Sequence, residues 1–253
     1  SMFAPRSVVL VGASAKQGSV GNWLARNLSQ GFAGQLSFVN PKGGIIEGRD
    51  CHRSLADIEA PADLAVVVTP AETVPGIIGE LGAAGTKAAV VISAGIKGAI
   101  KQAMLDQSRP HCLRLMGPNC IGLSVPHIGL NASFSHIAAP KGDIAFLSQS
   151  GALITGIVDW AAARSIGFSH VVSLGDMADI DFGDMLDYLA GEPRSRAILM
   201  YMEAVTHARK FMSAARRAAR AKPVVIIKSG RHAAAARAAS SHTGALAGLD
   251  AAY

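Results

Sequence analysis

The chain has 253 residues, of which half are hydrophobic and 17% charged, with a formal net charge of +6. That length supports one large or two ordinary domains, and that composition excludes a disordered chain. No apolar run reaches the roughly 20 residues that span a bilayer, and the N-terminus has no charged-then-apolar signal pattern. Cys51, Cys112 and Cys120 are odd in number and lack CxxC spacing. This argues against a disulfide framework or structural zinc, and for a reducing cytoplasm.

In chain order, a β-branched run over 7–12 ends in Gly12 and is followed by a small-residue loop, Ala13-Ser14-Ala15-Lys16-Gln17-Gly18-Ser19-Val20-Gly21, and a helical pattern over 22–28. Strand, small-residue loop and helix open a nucleotide-binding βαβ unit. Apolar strand patterns recur over 36–39, 64–68, 88–92 and 113–116, with helical patterns over 74–84 and 100–108. Apolar strands alternating with helices predict a parallel sheet covered on both faces. The stretch 124–142, with Pro126, His127, Pro140 and Gly142, reads as a loop and a domain boundary. The alternation then restarts: strands over 144–147, 168–173, 197–202 and 224–227, helices over 152–164, 182–190 and 208–220. The expected architecture is α/β, a Rossmann-like domain over 1–128 followed by a flavodoxin-like parallel-sheet domain over 140–253. The second domain ends before its last elements, as in a fragment or subunit of something larger.

The first domain's nucleotide is read from its departures from the NAD pattern. The glycines Gly12, Gly18 and Gly21 are not spaced GxGxxG, and the strand over 36–39 ends in Asn40-Pro41-Lys42 rather than in an acid for a ribose hydroxyl. A lysine there favours a phosphorylated ribose, and the turns at Thr69-Pro70 and Ser93-Ala94-Gly95 are small enough for a ligand to cross the sheet edge. Coenzyme A, with its 3′-phosphate and pyrophosphate, fits this better than NAD. Two further turns, Gly117-Pro118-Asn119-Cys120 and Ser148-Gln149-Ser150-Gly151, each follow an apolar strand and read as helix starts that seat anions. His242, in Ser240-Ser241-His242-Thr243-Gly244, is flanked by small residues, which suits phosphate chemistry on an imidazole.

Eleven Lys or Arg and a single acid, Glu203, lie between Arg194 and Arg237. Without interleaved aromatics this reads as a solvated helix face or a surface for an acidic partner, not as a nucleic-acid footprint. Asp176, Asp179, Asp181 and Asp184 read as helix-capping carboxylates rather than a metal site. Cys120 reads as a small turn residue, not a nucleophile.

Five motifs in order, Val11-Gly12-Ala13-Ser14, Asn40-Pro41-Lys42, Gly117-Pro118-Asn119-Cys120-Ile121-Gly122, Ser148-Gln149-Ser150-Gly151-Ala152 and Ser241-His242-Thr243-Gly244, make the chain resemble the NDP-forming acyl-CoA synthetases. These include the succinyl-CoA synthetase alpha subunit and the ADP-forming acetyl-CoA synthetases, and the resemblance runs the length of the chain. It implies a reversible reaction in which phosphate attacks an acyl-CoA to give an acyl phosphate. His242 takes the phosphoryl group, and a mobile loop carries it to an ATP-grasp domain or beta subunit that holds ADP or ATP with Mg2+. Glu203 matches the glutamate that bonds the other imidazole nitrogen. Asn119, Cys120, Ser150 and Gly151 match the phosphate seat. Gly12, Ser14, Lys16, Gln17, Gly18, Val20, Lys42, Thr69, Pro70, Ser93 and Gly95 match the CoA site, and no metal is expected in this chain.

Two departures from the succinyl pattern, Ala94 and Ile121, favour an acetyl or general acyl substrate. No ATP-grasp sequence is present in the chain, so a partner domain or subunit and an oligomer are expected, with no nucleic acid and no membrane. The alternative is an acyl-CoA-binding regulatory region of a protein-lysine acetyltransferase.

Overall fold

A computed structural model describes residues 2–229 of the chain. It contains two α/β layers. The first holds β1 (Ser7–Val11), α1 (Val20–Gly31), β2 (Gln35–Val39), β3 (Ile45–Ile46), β4 (Arg49–His52), β5 (Leu64–Val67), α2 (Val74–Ala84), β6 (Ala88–Val91), α3 (Gly98–Ser108) and β7 (Arg114–Met116). Its strand order is β3-β4-β2-β1-β5-β6-β7, parallel except for the β3–β4 hairpin. The order reverses direction between β1 and β5, and a crevice opens at such a point beyond the carboxyl ends of the strands. The strands are apolar throughout because both faces are covered: all four residues of β5 and all four of β6 are buried.

The second layer holds β8 (Gly122–Val125), β9 (Leu130–Ser133), β10 (Lys141–Ser148), α4 (Gly151–Ala162), β11 (Phe168–Ser173), α5 (Phe182–Gly191), β12 (Ala197–Met202), α6 (Ala208–Ala221) and β13 (Val224–Lys228). Its order is β13-β12-β10-β11-β8-β9, with β8 antiparallel to β11 and β9 antiparallel to β8. The parallel part is the expected flavodoxin-like arrangement. The antiparallel hairpin was not foreseen. Residues 124–142, read as a loop, contain the end of β8, all of β9 and the start of β10, so the second sheet takes two strands from ahead of residue 140. Asn131, Ala132 and Ser133 carry no β-branched signal, and their burial comes from packing against α1.

The sheets are joined by more than the connecting chain. Residues 176–180 run antiparallel along β7: the N–H groups of Asp176, Ala178 and Ile180 donate to the carbonyls of Pro118, Gly117 and Leu115 at 2.9–3.0 Å. Asp179 accepts from the Leu115 N–H at 2.8 Å and from Arg114 Nε at 2.9 Å. The open edge of the first sheet is thus covered by a segment of the second layer. Among the described residues, no helix is long and apolar enough to cross a membrane.

Candidate functional site

The β1–α1 turn depends on two glycines. Gly12 has φ +98°, and a Cβ there would lie 2.4 Å from the Val68 carbonyl oxygen; one on Gly21 would lie 2.2 Å from the Gly12 oxygen. A side chain at Gly12 would push β1 from the end of β5, and one at Gly21 would push α1 from the turn after β1. Ser19 caps α1 by accepting from the Asn22 N–H at 3.2 Å, and Ser14 Oγ accepts from the Lys16 N–H at 3.1 Å. Asn40 links this turn to the end of β2: its Nδ2 donates to the Ala13 carbonyl at 2.7 Å, and its Oδ1 accepts from the Lys42 N–H at 2.9 Å. Lys16, Gln17, Gly18 and Lys42 are all exposed on these neighbouring turns.

Beside the turn, the carboxyl ends of both sheets line one cleft of about 1320 Å³. That volume exceeds the several hundred Å³ of ordinary ligand pockets and suits a long ligand such as CoA. From the first layer it receives Val20, Thr69, Pro70 and Ser93; from the connecting turn Asn119 and Cys120; from the second Ser150, Gly151 and Glu203. Of the site residues read from sequence, Gly12, Ser14, Lys16, Gln17, Gly18, Lys42 and Gly95 do not line it. His242 lies outside the described residues.

The two expected anion seats differ. Ser150 caps α4, accepting from the Leu153 N–H, so the first turn of that helix presents unpaired N–H groups at the cleft. The Gly117-Pro118-Asn119-Cys120 turn starts no helix and instead enters β8, a correction to the sequence reading. Gly117 and Asn119 have φ +96° and +58°, which turns the chain out of a helical path. The Asn119 N–H donates to the Ser93 carbonyl at 3.0 Å and the Ile121 N–H to Ser173 Oγ at 3.2 Å. Cys120 is buried, donates its Sγ–H to the Val91 carbonyl at 3.3 Å, and has its thiol pushed up to about 12 by burial. It is chemically quiet.

Glu203 is 5% exposed at the end of β12. Its backbone N–H and that of Ala204 both donate to Gln149 Oε1, at 2.6 and 2.9 Å. Gln149 therefore fixes the carboxylate's strand end against the turn that starts α4. No role for Gln149 was read from the sequence, because its partners lie 54 and 55 residues away. Lys97 and Lys101 also line the cleft and were missed. Their only signal is a pair of lysines spaced i, i+4 at a helix start, on one face, after a glycine turn. The aspartates act as capping and pairing groups: Asp181 and Asp184 form a capping box on α5, and Asp176 accepts from Asn119 Nδ2 at 3.1 Å. Among the described residues, a groove along α6 is lined by that helix alone.

Comparison with known proteins matches both layers. The family described as a CoA binding domain matches residues 6–126, and the family described as a succinyl-CoA ligase like flavodoxin domain matches residues 141–253. The chain belongs to the NDP-forming acyl-CoA synthetase superfamily. It is 44% identical, over its whole length, to 38% of an ADP-forming acetate–CoA ligase I of Archaeoglobus fulgidus. It is 40% identical to an ADP-forming acetate–CoA ligase I subunit alpha of Pyrococcus furiosus, covering all of this chain and 57% of that one. The dinucleotide forming acetyl-coenzyme A synthetase 1 of Ca. Korarchaeum cryptofilum, solved in complex with phosphate and ADP, superposes with a TM-score of 0.91. That match is 36% identical over 97% of this chain and 55% of that one. The chain thus spans roughly two-fifths to just over half the length of these synthetase-superfamily relatives.

Proposed function

We propose that this chain carries the thioester half of an ADP-forming acid–CoA ligase, interconverting acyl-CoA, phosphate and ADP with free acid, CoA and ATP. The observation that carries the reading is the convergence on one cleft of the α4 N-terminus at Ser150 and Gly151, the buried Glu203, and residues of the CoA-binding layer. The relatives named above are all acetate–CoA ligases or acetyl-CoA synthetases, which favours the ligase over an acetyltransferase's regulatory region.

CoA lies along the β1–α1 turn, with Gly12, Ser14, Lys16, Gln17, Gly18 and Val20 around the pyrophosphate and Lys42 at the 3′-phosphate. Its pantetheine arm passes Thr69, Pro70, Ser93 and Gly95 into the cleft. Phosphate binds at Ser150 and Gly151, with Asn119 and Cys120 closing the other side. One of its oxygens attacks the thioester carbon, the C–S bond breaks, and CoA leaves as the thiolate. The N–H groups of the α4 first turn stabilise charge on the phosphoryl oxygens as it develops. His242 then attacks phosphorus and the acid leaves as its carboxylate. Glu203, on the other imidazole nitrogen, selects the tautomer and stabilises the cationic ring.

Transfer to ADP takes place at an ATP-grasp domain or beta subunit, where Mg2+ belongs, within a cytoplasmic oligomer. Among acyl groups the reading favours acetyl or another small monocarboxylate. The thioester step is isolated by arsenate, because an acyl arsenate hydrolyses spontaneously. The full-length polypeptide without ADP is expected to release CoA thiol continuously from acetyl-CoA and arsenate. Absence of release across short acyl-CoAs would sink the proposal.

A further inference from the structure

Phe134 is the one bulky apolar residue in Asn131-Ala132-Ser133-Phe134-Ser135, and its surroundings are unusually restrained. Asn27, buried on α1, donates both amide hydrogens across the layers, to the Ser133 carbonyl at 2.7 Å and the Ser135 carbonyl at 2.9 Å. The backbone on either side of Phe134, at the carbonyls of Ser133 and Ser135, is held by the helix that the CoA-binding turn begins. Ser133 Oγ donates to Asn131 Oδ1 at 2.7 Å, and the Phe134 N–H donates to the Ile121 carbonyl at 3.1 Å. The four residues around Phe134 in this run are buried, whereas the phenyl ring is half-buried and lines the cleft. An aromatic ring held this firmly while partly open to a ligand-sized space is built to be covered by an apolar group.

The neighbouring atoms say which part of the ligand covers it. A Cβ on Gly151 would lie 2.5 Å from Ile121 Cγ2, so the Ile121 side chain abuts the first residue of α4. Gly151, Ile121 and Phe134 follow one another along the cleft wall, and Tyr201 joins the same apolar cluster. An acyl carbon bonded to a phosphate seated at Gly151 would have Ile121 beside it, and Phe134, whose N–H donates to the Ile121 carbonyl, is the next apolar residue on that wall. We infer that Ile121 and Phe134 form the end wall of the acyl site, with Phe134 setting the length of chain accepted. The inference rests on the proposed thioester chemistry and goes beyond it by assigning the specificity-determining residue.

The test uses the full-length polypeptide, wild type, Phe134→Ala and Phe134→Leu. kcat/KM is measured with acetyl-, butanoyl-, hexanoyl- and octanoyl-CoA in the presence of phosphate and ADP. Wild type is expected to favour the short chains. Phe134→Ala shifts the optimum toward hexanoyl- or octanoyl-CoA, with the ratio of hexanoyl to acetyl rising about tenfold or more. Phe134→Leu, which keeps an apolar packing residue, shifts the ratio in the same direction by less. Equal loss on every substrate in both variants overturns the inference and leaves the ligase reading standing. A wild-type protein inactive on all four overturns both.

Discussion

At the scale of single residues, a carboxylate and a thiol that line the same cleft have opposite fates. Glu203 is buried at the cleft with its backbone fixed by Gln149. Glu203→Gln keeps the size and the backbone bond but removes the charge that the proposed mechanism assigns to supporting an imidazolium. Phosphoryl transfer through His242 is expected to fall by about two orders of magnitude with acyl-CoA binding unchanged, read by single-turnover labelling and calorimetry. A loss confined to binding would contradict the role. Cys120 is held quiet by burial while Cys112 is exposed. Alkylation of the native protein at pH 8 followed by peptide mapping should label Cys112 and spare Cys120 and Cys51.

Much of this was legible beforehand. Glu203 stood out as the lone acid in a basic region, and small residues at Ser150 and Gly151 marked a helix start. Gln149, Asn27 and Phe134 were not legible. Their meaning depends on hydrogen bonds from side-chain amides to backbone groups 54 to 108 positions away, which no local pattern encodes.

At the scale of elements, the long buried strands and the amphipathic helices were readable because their residues carry the period of one environment along their whole length. The strands over 168–173 and 197–202 and the helix over 74–84 occur where expected. The strands that escaped, β3, β4, β8 and β9, are short or polar, and tertiary contacts rather than propensity hold them. The start of α5 illustrates how much one cap can carry. Asp181 accepts from the Asp184 N–H at 3.2 Å, Thr206 Oγ1 at 2.9 Å and His207 Nδ1 at 3.1 Å, and pairs with Lys210 at 2.9 Å. Burial works to raise its pKa, but Lys210 and the other donors outweigh it and hold the carboxyl at about 2, below the usual 3.8.

The folded pKa is therefore the lower one. Asp181 contributes stability above about pH 4 that is lost as pH falls from about 4 toward 2. Asp181→Ala should cost about 2 kcal/mol in urea unfolding at pH 7, from the lost cap and from the loss of one of the two carboxylates that pair with Lys210. It should also flatten the acid limb of the stability curve. An unchanged acid limb would show that Asp181 is not its source.

At the scale of the whole molecule, polar contacts tie the two layers together at two places among the described residues. Residues 176–180 extend the first sheet along β7, and Asn27 reaches from α1 into the β8–β9 hairpin region. Asn27→Leu leaves two buried carbonyls without donors and should destabilise the protein by about 2–3 kcal/mol, as seen in urea unfolding. Loss of under half a kcal/mol would show the clamp to be dispensable.

The cleft exists only because both layers present their strand ends to it, which is where a CoA thioester and phosphate must meet for the proposed reaction. The most direct test of that reaction is to incubate the full-length polypeptide with labelled phosphate and acetyl-CoA, without nucleotide. The protein is then analysed for an acid-labile, base-stable label, with His242→Ala as control. Label on His242 that requires the acyl-CoA is the predicted result. Acyl-CoA bound with no label on wild-type protein would contradict the account and leave this chain a sensor of acyl-CoA rather than half of a ligase.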